Sequence, residues 1–203
     1  MILAFDTSSA ACTVALFDDK GACVAGRDEI IGRGHAERLV PMIAGVIGDH
    51  RPAEIMVGVG PGSFTGIRVA IAAANGLAIG WNAELKGMSS LALLVARASG
   101  ADQVAAAVNG GHGELFVQQF EGSTLEPVSE LLSGPAAEAA ARTSAPLVFG
   151  SGAKRLVEAR GWGDALETWP SAANALRLPH SQRSLPARPV YARAPDARVP
   201  EAA

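Results

Sequence analysis

The segment 55–80, IMVGVGPGSFTGIRVAIAAANGLAIG, decides the fold of this chain. It begins with β-branched residues at alternating positions, which favour a strand over 55–60. Glycine and proline interrupt it at 60–62, and Ser63 then offers a hydroxyl of the kind that caps a helix N-terminus. A run rich in alanine follows and predicts a helix over 65–79. The pattern as a whole predicts a strand, a tight glycine turn and a helix.

The glycine turn has two interpretations on sequence alone. Backbone N–H groups at the start of a helix can bind an anion such as a phosphate, or the turn can be closely packed and bind nothing. The segment is no Walker A motif, because no Gly-Lys-Ser/Thr follows, and Ser63 stands where GxGxxG needs its last glycine. Asp6-Thr7-Ser8 ends the first predicted strand, where a carboxylate can hold a metal–nucleotide or simply make a turn. The candidate vestigial nucleotide loop is Asp6, Thr7, Ser8, Gly60, Gly62 and Ser63.

Composition restricts the class of protein. The 203 residues are 49% hydrophobic with a net charge of −3, which supplies a substantial core and no basic surface for binding nucleic acid alone. The cysteines, Cys12 and Cys23, form no CxxC pair and indicate a reducing compartment. The N-terminus has no basic region of a signal peptide, and the apolar run 69–81 is too short for a membrane span. We expect a cytoplasmic protein without a membrane partner.

The rest of the chain predicts a mixed α/β protein in two lobes. Antiparallel strands over 2–5, 12–17 and 22–30 precede a helix beginning at His35, so residues 1–99 read as βββαβαβα. A weaker repeat of the N-terminal strand–turn–strand opens a smaller second lobe, 100–185, and no helix or strand is predicted beyond Gly161. The proline-rich segment 186–203 is predicted to be extended or disordered. The predicted elements of the second lobe are strands over 104–108, 115–120 and 146–149 and helices over 134–142 and 152–160.

Residues with catalytic or metal-binding potential are few. His35 has Leu39, and no second histidine, four residues later, so the helix lacks a zinc-binding pair. His50, His112 and His180 are scattered without ligand spacing, and Ser63 lies outside any GxSxG motif. We therefore predict no catalytic residue, no metal and no cofactor.

Two predicted helices carry the strongest signal for an interaction. The first has an apolar stripe at helical spacing, and the second is rich in small residues that allow another helix to approach closely. The chain's own sheet or a partner protein can cover these faces. If a partner does, Ile43→Asp or Ala74→Arg should break the complex and leave the chain folded. The predicted partner interface is His35, Glu37, Leu39, Val40, Ile43, Val46, Ile47, Ile67, Arg68, Ile71, Ala74, Asn75 and Ala78.

Residues 1–98 resemble the TsaB (YeaZ) family. The resemblance lies in LAFDTSS at 3–9, GHAERLVPMI at 34–43, and above all in the segment 57–80 with KGMSSLALLVA at 86–96. The second half is similar only loosely. Where the family has Asp-Ala-Arg-x-Gly-Glu-x-Tyr, the chain reads NGGHGELF at 109–116 and keeps only the Gly-Glu pair. PVYAR at 189–193 resembles the family's Pro-x-Tyr-x-Arg.

The resemblance implies an actin/Hsp70/sugar-kinase-like fold, in which each lobe has a mixed βββαβα core. It also implies a non-catalytic scaffold that binds TsaD, the paralogous catalytic subunit, through helices of the first lobe. The ATPase TsaE then joins that pair, and the complex transfers a threonylcarbamoyl group to adenosine 37 of ANN-decoding tRNAs. The metal-binding histidine pair of TsaD has no counterpart at 87–94 in this chain.

The resemblance leaves three further expectations. The chain contacts tRNA only indirectly, through its partner, and it can form a homodimer through the same helices. The alternative function is a nucleotide-binding ATPase or transferase that acts in its own right.

Overall fold

The computed structural model describes residues 1–98 and 101–192. The strands are β1 Ile2–Asp6, β2 Ala11–Phe17, β3 Cys23–Ile30, β4 Glu54–Gly58, β5 Glu84–Met88, β6 Gln103–Asn109, β7 Glu114–Glu121, β8 Leu132–Pro135, β9 Leu147–Phe149 and β10 Asp164–Leu166. The α-helices are α1 His35–Ile47, α2 Phe64–Trp81, α3 Ser90–Val95, α4 Ala136–Ala141, α5 Ala153–Arg160 and α6 His180–Arg183. Short 3-10 helices occupy Gly111–Gly113 and Ala172–Arg177.

The described elements form two mixed sheets. The first has the strand order β3-β2-β1-β4-β5, and the second has β10-β9-β6-β7-β8. In each sheet three antiparallel strands join a parallel pair. The order βββαβα therefore occurs twice along the chain, and the predicted α/β fold class is confirmed.

Alternation of side chains along the strands divides the core into layers. Leu3 and Phe5 point to the face of the first sheet that α1 and α2 cover. Ala4 points to the other face, where α3 packs between the two sheets. The far face of the second sheet packs against α4 and α5. Each long helix of the first lobe therefore rests with one side on the sheet, and its other side faces away from it.

The C-terminal segment returns to the first sheet. The Ala172 N–H donates to Thr13 Oγ1 at 2.7 Å, and Leu185 pairs with Gly87 at the edge of β5. The Val190 N–H donates to the Val59 carbonyl at 2.8 Å. Residues of the segment 171–185, which belongs to the predicted second lobe, thus contact the first sheet.

The two-lobe division stays a prediction, because its boundary at 99/100 lies outside the described residues. No element is predicted beyond Gly161, whereas β10, a 3-10 helix and α6 all follow it. In the predicted tail, residues 186–192 form no helix or strand, and 193–203 lie outside the described part of the chain.

An ion pair fixes α1 to the edge strand β3. The Arg38 guanidinium donates from Nε to Glu29 Oε2 at 2.6 Å and from Nη2 to Oε1. Arg27 also lies 2.6 Å from the Glu29 carboxylate. The hydrogen bonds from Arg38, with the charge of Arg27, lower the pKa of Glu29 from 4.5 to about 2.

This pKa shift predicts a pH dependence of stability. A carboxyl group whose pKa is lower in the folded state stabilises the fold fully above its ordinary pKa. For Glu29 the contribution should therefore decline as the pH falls from about 4.5 towards 2. Urea unfolding should show Glu29→Gln less stable than the native chain at neutral pH, with the difference closing in acid. A difference that stays constant over this range would contradict the role of the ion pair.

Candidate functional site

The glycine turn is filled by the chain's own backbone. A Cβ atom at Gly66 would lie 1.9 Å from the Thr7 carbonyl oxygen, and one at Gly62 would lie 2.2 Å from that of Ser8. Both distances are far below van der Waals contact, so only glycine fits at either position. The turn after β1 therefore lies directly against the start of α2.

Asp6 is the centre of a buried polar cluster at the end of β1. Its Oδ1 accepts the Ser8 N–H and hydroxyl, each at 2.7 Å, and its Oδ2 accepts the Ser90 hydroxyl. Ser90 Oγ in turn accepts the Gly60 N–H at 3.1 Å. A Cβ at Gly58 would lie 1.8 Å from Asp6 Oδ2. The carboxylate thus joins β1, the glycine turn and α3.

The structure brings all six residues of the candidate nucleotide loop together. Asp6 and Thr7 have no exposed surface, and Thr7 Oγ1 donates to the Gly66 carbonyl at 2.7 Å. Ser63 caps α2 by accepting the Gly66 N–H at 3.2 Å. Within 1–98 and 101–192, no three His, Cys, Asp or Glu side chains are grouped to hold a metal ion. The polar groups are engaged with one another, which favours the packed-turn interpretation over a phosphate cradle.

The second lobe closes its own glycine turn with an arginine. Arg155 donates from Nη1 to Asn109 Oδ1 at 2.8 Å and from Nη2 to the Gly113 carbonyl at 2.6 Å. Asn109 also donates from Nδ2 to the Ser151 carbonyl at 2.7 Å. This turn lies where the chain resembles the family motif only loosely and lacks its Asp and Arg. Arg155 and Asn109 hold the turn instead.

Helix α1 uses most of its predicted interface to cover the first sheet. Four members of the predicted interface are buried and have little surface to offer a partner; they are His35, Leu39, Ile43 and Ile47. Val46 is half-buried, whereas Glu37 and Val40 are exposed, Val40 by 55%. His35 Nε2 is buried with no hydrogen-bond partner in the described chain.

In helix α2, a smaller part of the predicted interface is buried than in α1. Of its predicted interface residues, Ile67 and Ala74 are buried against the sheet. Ile71 and Ala78 are half-buried, and Arg68 and Asn75 are exposed. The variants Ile43→Asp and Ala74→Arg would therefore damage the core and cannot test binding alone.

The exposed surface of α2 forms one continuous side of the helix, here called the α2 face. It comprises Phe64, Arg68, Ala72, Asn75, Gly76 and Ile79. Ile79 is 84% exposed, and a Cβ at Gly76 would meet nothing within 4 Å. The predicted interface contains only Arg68 and Asn75 of this face, although the spacing 64, 68, 72 and 76 marks one side of a helix.

By length and composition α2 is apolar enough to cross a membrane. In the fold, however, its buried side packs on the first sheet, and Ser63 caps its first turn. Gly66, Ile67, Ala70 and Ala74 are the residues on that buried side. The helix is thus a sheet-packed helix with an apolar outer side.

An aromatic–arginine cluster lies at the N-terminal end of the α2 face. The Arg68 guanidinium lies 3.6 Å from the centroid of the Phe64 ring, and its Nε donates to the Tyr191 hydroxyl at 3.0 Å. The two rings are 5.5 Å apart. Phe64 is 52% and Tyr191 45% exposed. The C-terminal segment thereby contributes a side chain next to α2, which the sequence pattern did not predict.

The chain is similar in sequence to bacterial proteins of tRNA threonylcarbamoyladenosine biosynthesis. Residues 28–155 match the family model described as TsaD, tRNA N6-adenosine threonylcarbamoyltransferase. The chain is 34% identical over 128 residues to the tRNA threonylcarbamoyladenosine biosynthesis protein TsaB of Escherichia coli K12, covering 59% of this chain and 54% of that protein. The TsaB protein of Haemophilus influenzae is 33% identical over 127 residues, covering 58% and 52%. The chain spans about half the length of the curated relatives it matches.

A solved structure is similar over nearly the whole chain. It is YeaZ from Pseudomonas aeruginosa, with a TM-score of 0.79 and 30% sequence identity. The superposition covers 94% of this chain and 98% of that one. The similarity therefore includes the second lobe, where the sequence resemblance is loose.

Proposed function

Because the chain belongs to the TsaB (YeaZ) family, we propose that it is a non-catalytic subunit that binds and activates a TsaD-like catalytic paralogue. The α2 face carries this proposal. It is an exposed, largely apolar helix surface with small residues at its centre. Such a surface permits close packing of a partner helix. Covering it is favourable because apolar surface is removed from water.

Helix α1 extends this surface on one side only. Arg38 is bound to Glu29 of β3, so the side of α1 that carries Arg38 faces away from α2. Gly45 follows Arg38 by two helical turns and shares that side. Val40 lies on the opposite, exposed side of α1, and we assign it to the docking surface together with the α2 face.

The non-catalytic part of the proposal rests on the glycine turn. Asp6 and Ser8 hydrogen-bond to each other, and Ser90 occupies the second carboxylate oxygen. A carboxylate engaged in this way has little capacity left to hold a metal–nucleotide. We infer that the partner supplies the metal and nucleotide and that this chain needs no cofactor.

The wider complex follows from the same family assignment. A TsaE-like ATPase joins through the complex, which modifies adenosine 37 of ANN-decoding tRNAs in the cytoplasm. The net charge of −3 supports contact with tRNA mainly through the partner. In the absence of the partner, a second copy of the chain covers the same face.

Co-purification tests the proposal. The chain, mixed with the TsaD-like subunit of the same organism at micromolar concentration, should elute from gel filtration as a complex. The complex should catalyse threonylcarbamoylation of tRNA faster than the TsaD-like subunit alone. Separate elution of the two proteins, or no gain in activity, would contradict the proposed role.

A further inference from the structure

The aromatic–arginine cluster identifies the chemistry of the partner, an inference that rests on the proposed function. Arg68 Cζ lies over the Phe64 ring, 3.6 Å from its centroid, and the Tyr191 hydroxyl accepts the Arg68 Nε–H at 3.0 Å. A guanidinium held in this way keeps its plane fixed and loses little side-chain entropy when it binds. The cluster is therefore organised before any partner arrives.

The outer edge of Arg68 has unused donors. In the described part of the chain, the Nη groups of Arg68 have no hydrogen-bond acceptor and Arg68 has no ion pair. The Phe64 ring and the Tyr191 hydroxyl therefore leave the two Nη groups available to a partner. That edge matches a carboxylate, which accepts two parallel hydrogen bonds from arginine.

Two observations favour a protein carboxylate over a nucleic acid. Arg68 is the single ionisable residue in α2, whereas nucleic-acid binding needs several basic groups together. The guanidinium also covers the Phe64 ring, so a base cannot stack on that side. An arginine beside an apolar helix face is instead the arrangement found in protein interfaces.

We propose that Arg68, held by Phe64 and Tyr191, binds an Asp or Glu side chain of the catalytic partner at the N-terminal end of the α2 face. The apolar part of that face supplies most of the buried area. The ion pair at its end fixes the direction in which the partner helix lies. Tyr191 acts as a positioning residue, because its hydroxyl holds the guanidinium in place.

Calorimetric affinity for the TsaD-like subunit tests this inference. Arg68→Gln should weaken binding by about tenfold to a hundredfold, the usual range for a charge-assisted pair. Arg68→Lys keeps the charge but loses the two-pronged geometry, and it should recover only part of this loss. Tyr191→Phe removes the hydroxyl alone and should weaken binding by about threefold. Added salt should weaken the native complex more than the Arg68→Gln complex.

Arg177→Gln is the matched control. Arg177 is exposed in a 3-10 helix that packs on the opposite face of the first sheet, so its loss should leave affinity unchanged. Equal affinities for native chain and Arg68→Gln would overturn the inference while leaving the proposed function intact. If Arg68→Gln weakened tRNA binding by the complex and left the affinity for the TsaD-like subunit unchanged, the inference would be overturned in favour of a nucleic-acid contact. Failure of the native chain to bind would overturn both proposals.

Discussion

Replacing Gly76 with arginine should abolish binding of the catalytic partner, with an affinity loss of about a hundredfold or more. Gly76 lies in the middle of the α2 face, and the space beyond it is open. A long charged side chain there would prevent close helix approach and would bury a charge without a partner. The substitution replaces a helical glycine, so the isolated chain should be about 0.5–1 kcal/mol more stable.

Gly45→Arg provides the matched control for this variant. Gly45 is also a helical glycine with nothing within 4 Å of an added Cβ, but it lies on the side of α1 that faces β3. Gel filtration and calorimetry should show normal complex formation for Gly45→Arg and none for Gly76→Arg. Normal binding by Gly76→Arg would remove α2 from the docking surface.

Gly66→Ala should lower the free energy of unfolding by about 2–3 kcal/mol. The added methyl group would lie 1.9 Å from the Thr7 carbonyl oxygen, and backbone on both sides must move to admit it. Overpacking of this kind costs typically 1–3 kcal/mol, and more when backbone hydrogen bonds are disturbed. The Thr7 hydroxyl bond to the Gly66 carbonyl is one that would be strained.

The control lies in the same helix. Gly76→Ala makes the same chemical change in open space and should stabilise the chain by about 0.5–1 kcal/mol. Urea unfolding of both variants separates the cost of the close approach from the gain in helix propensity. If Gly66→Ala were as stable as Gly76→Ala, the glycine turn would not be closely packed.

The sequence predicted the central strand–turn–helix because local signals there agree. Glycines, a capping serine and an alanine-rich run all specify the same structure, and α2 is found at Phe64–Trp81. The pairing of glycines with Asp6 and Thr7 was not predictable, because it joins residues more than fifty positions apart. Sequence alone therefore left the phosphate and packed-turn interpretations open.

The interface prediction shows a second limit. Helical periodicity reveals that Leu39 and Ile43 share an apolar side, and the structure shows this side buried on the chain's own sheet. In α2 the small residues obscured the periodicity, so the exposed side was only partly identified. Ile79 and Phe64 were missed because apolar residues occur all around this helix.

The elements after Gly161 could not be predicted for a different reason. β10 and α6 are 3 and 4 residues long, too short for a periodic pattern. In the neighbouring 3-10 helix, the Ala172 N–H donates to Thr13 Oγ1, and Thr13 precedes Ala172 by 159 positions in the chain. Tertiary contacts rather than local preference determine these segments.

The return of the C-terminal segment to the first sheet has a consequence for synthesis on the ribosome. The partners of Thr13, Gly87 and Val59 in that segment are translated long after the residues that they join. The first sheet can form early, but it acquires these contacts only after the second sheet has been translated, and such distant contacts slow folding. The Tyr191 side chain is made later than every strand of the two sheets, so the nascent chain can complete its docking surface only after both sheets have been translated.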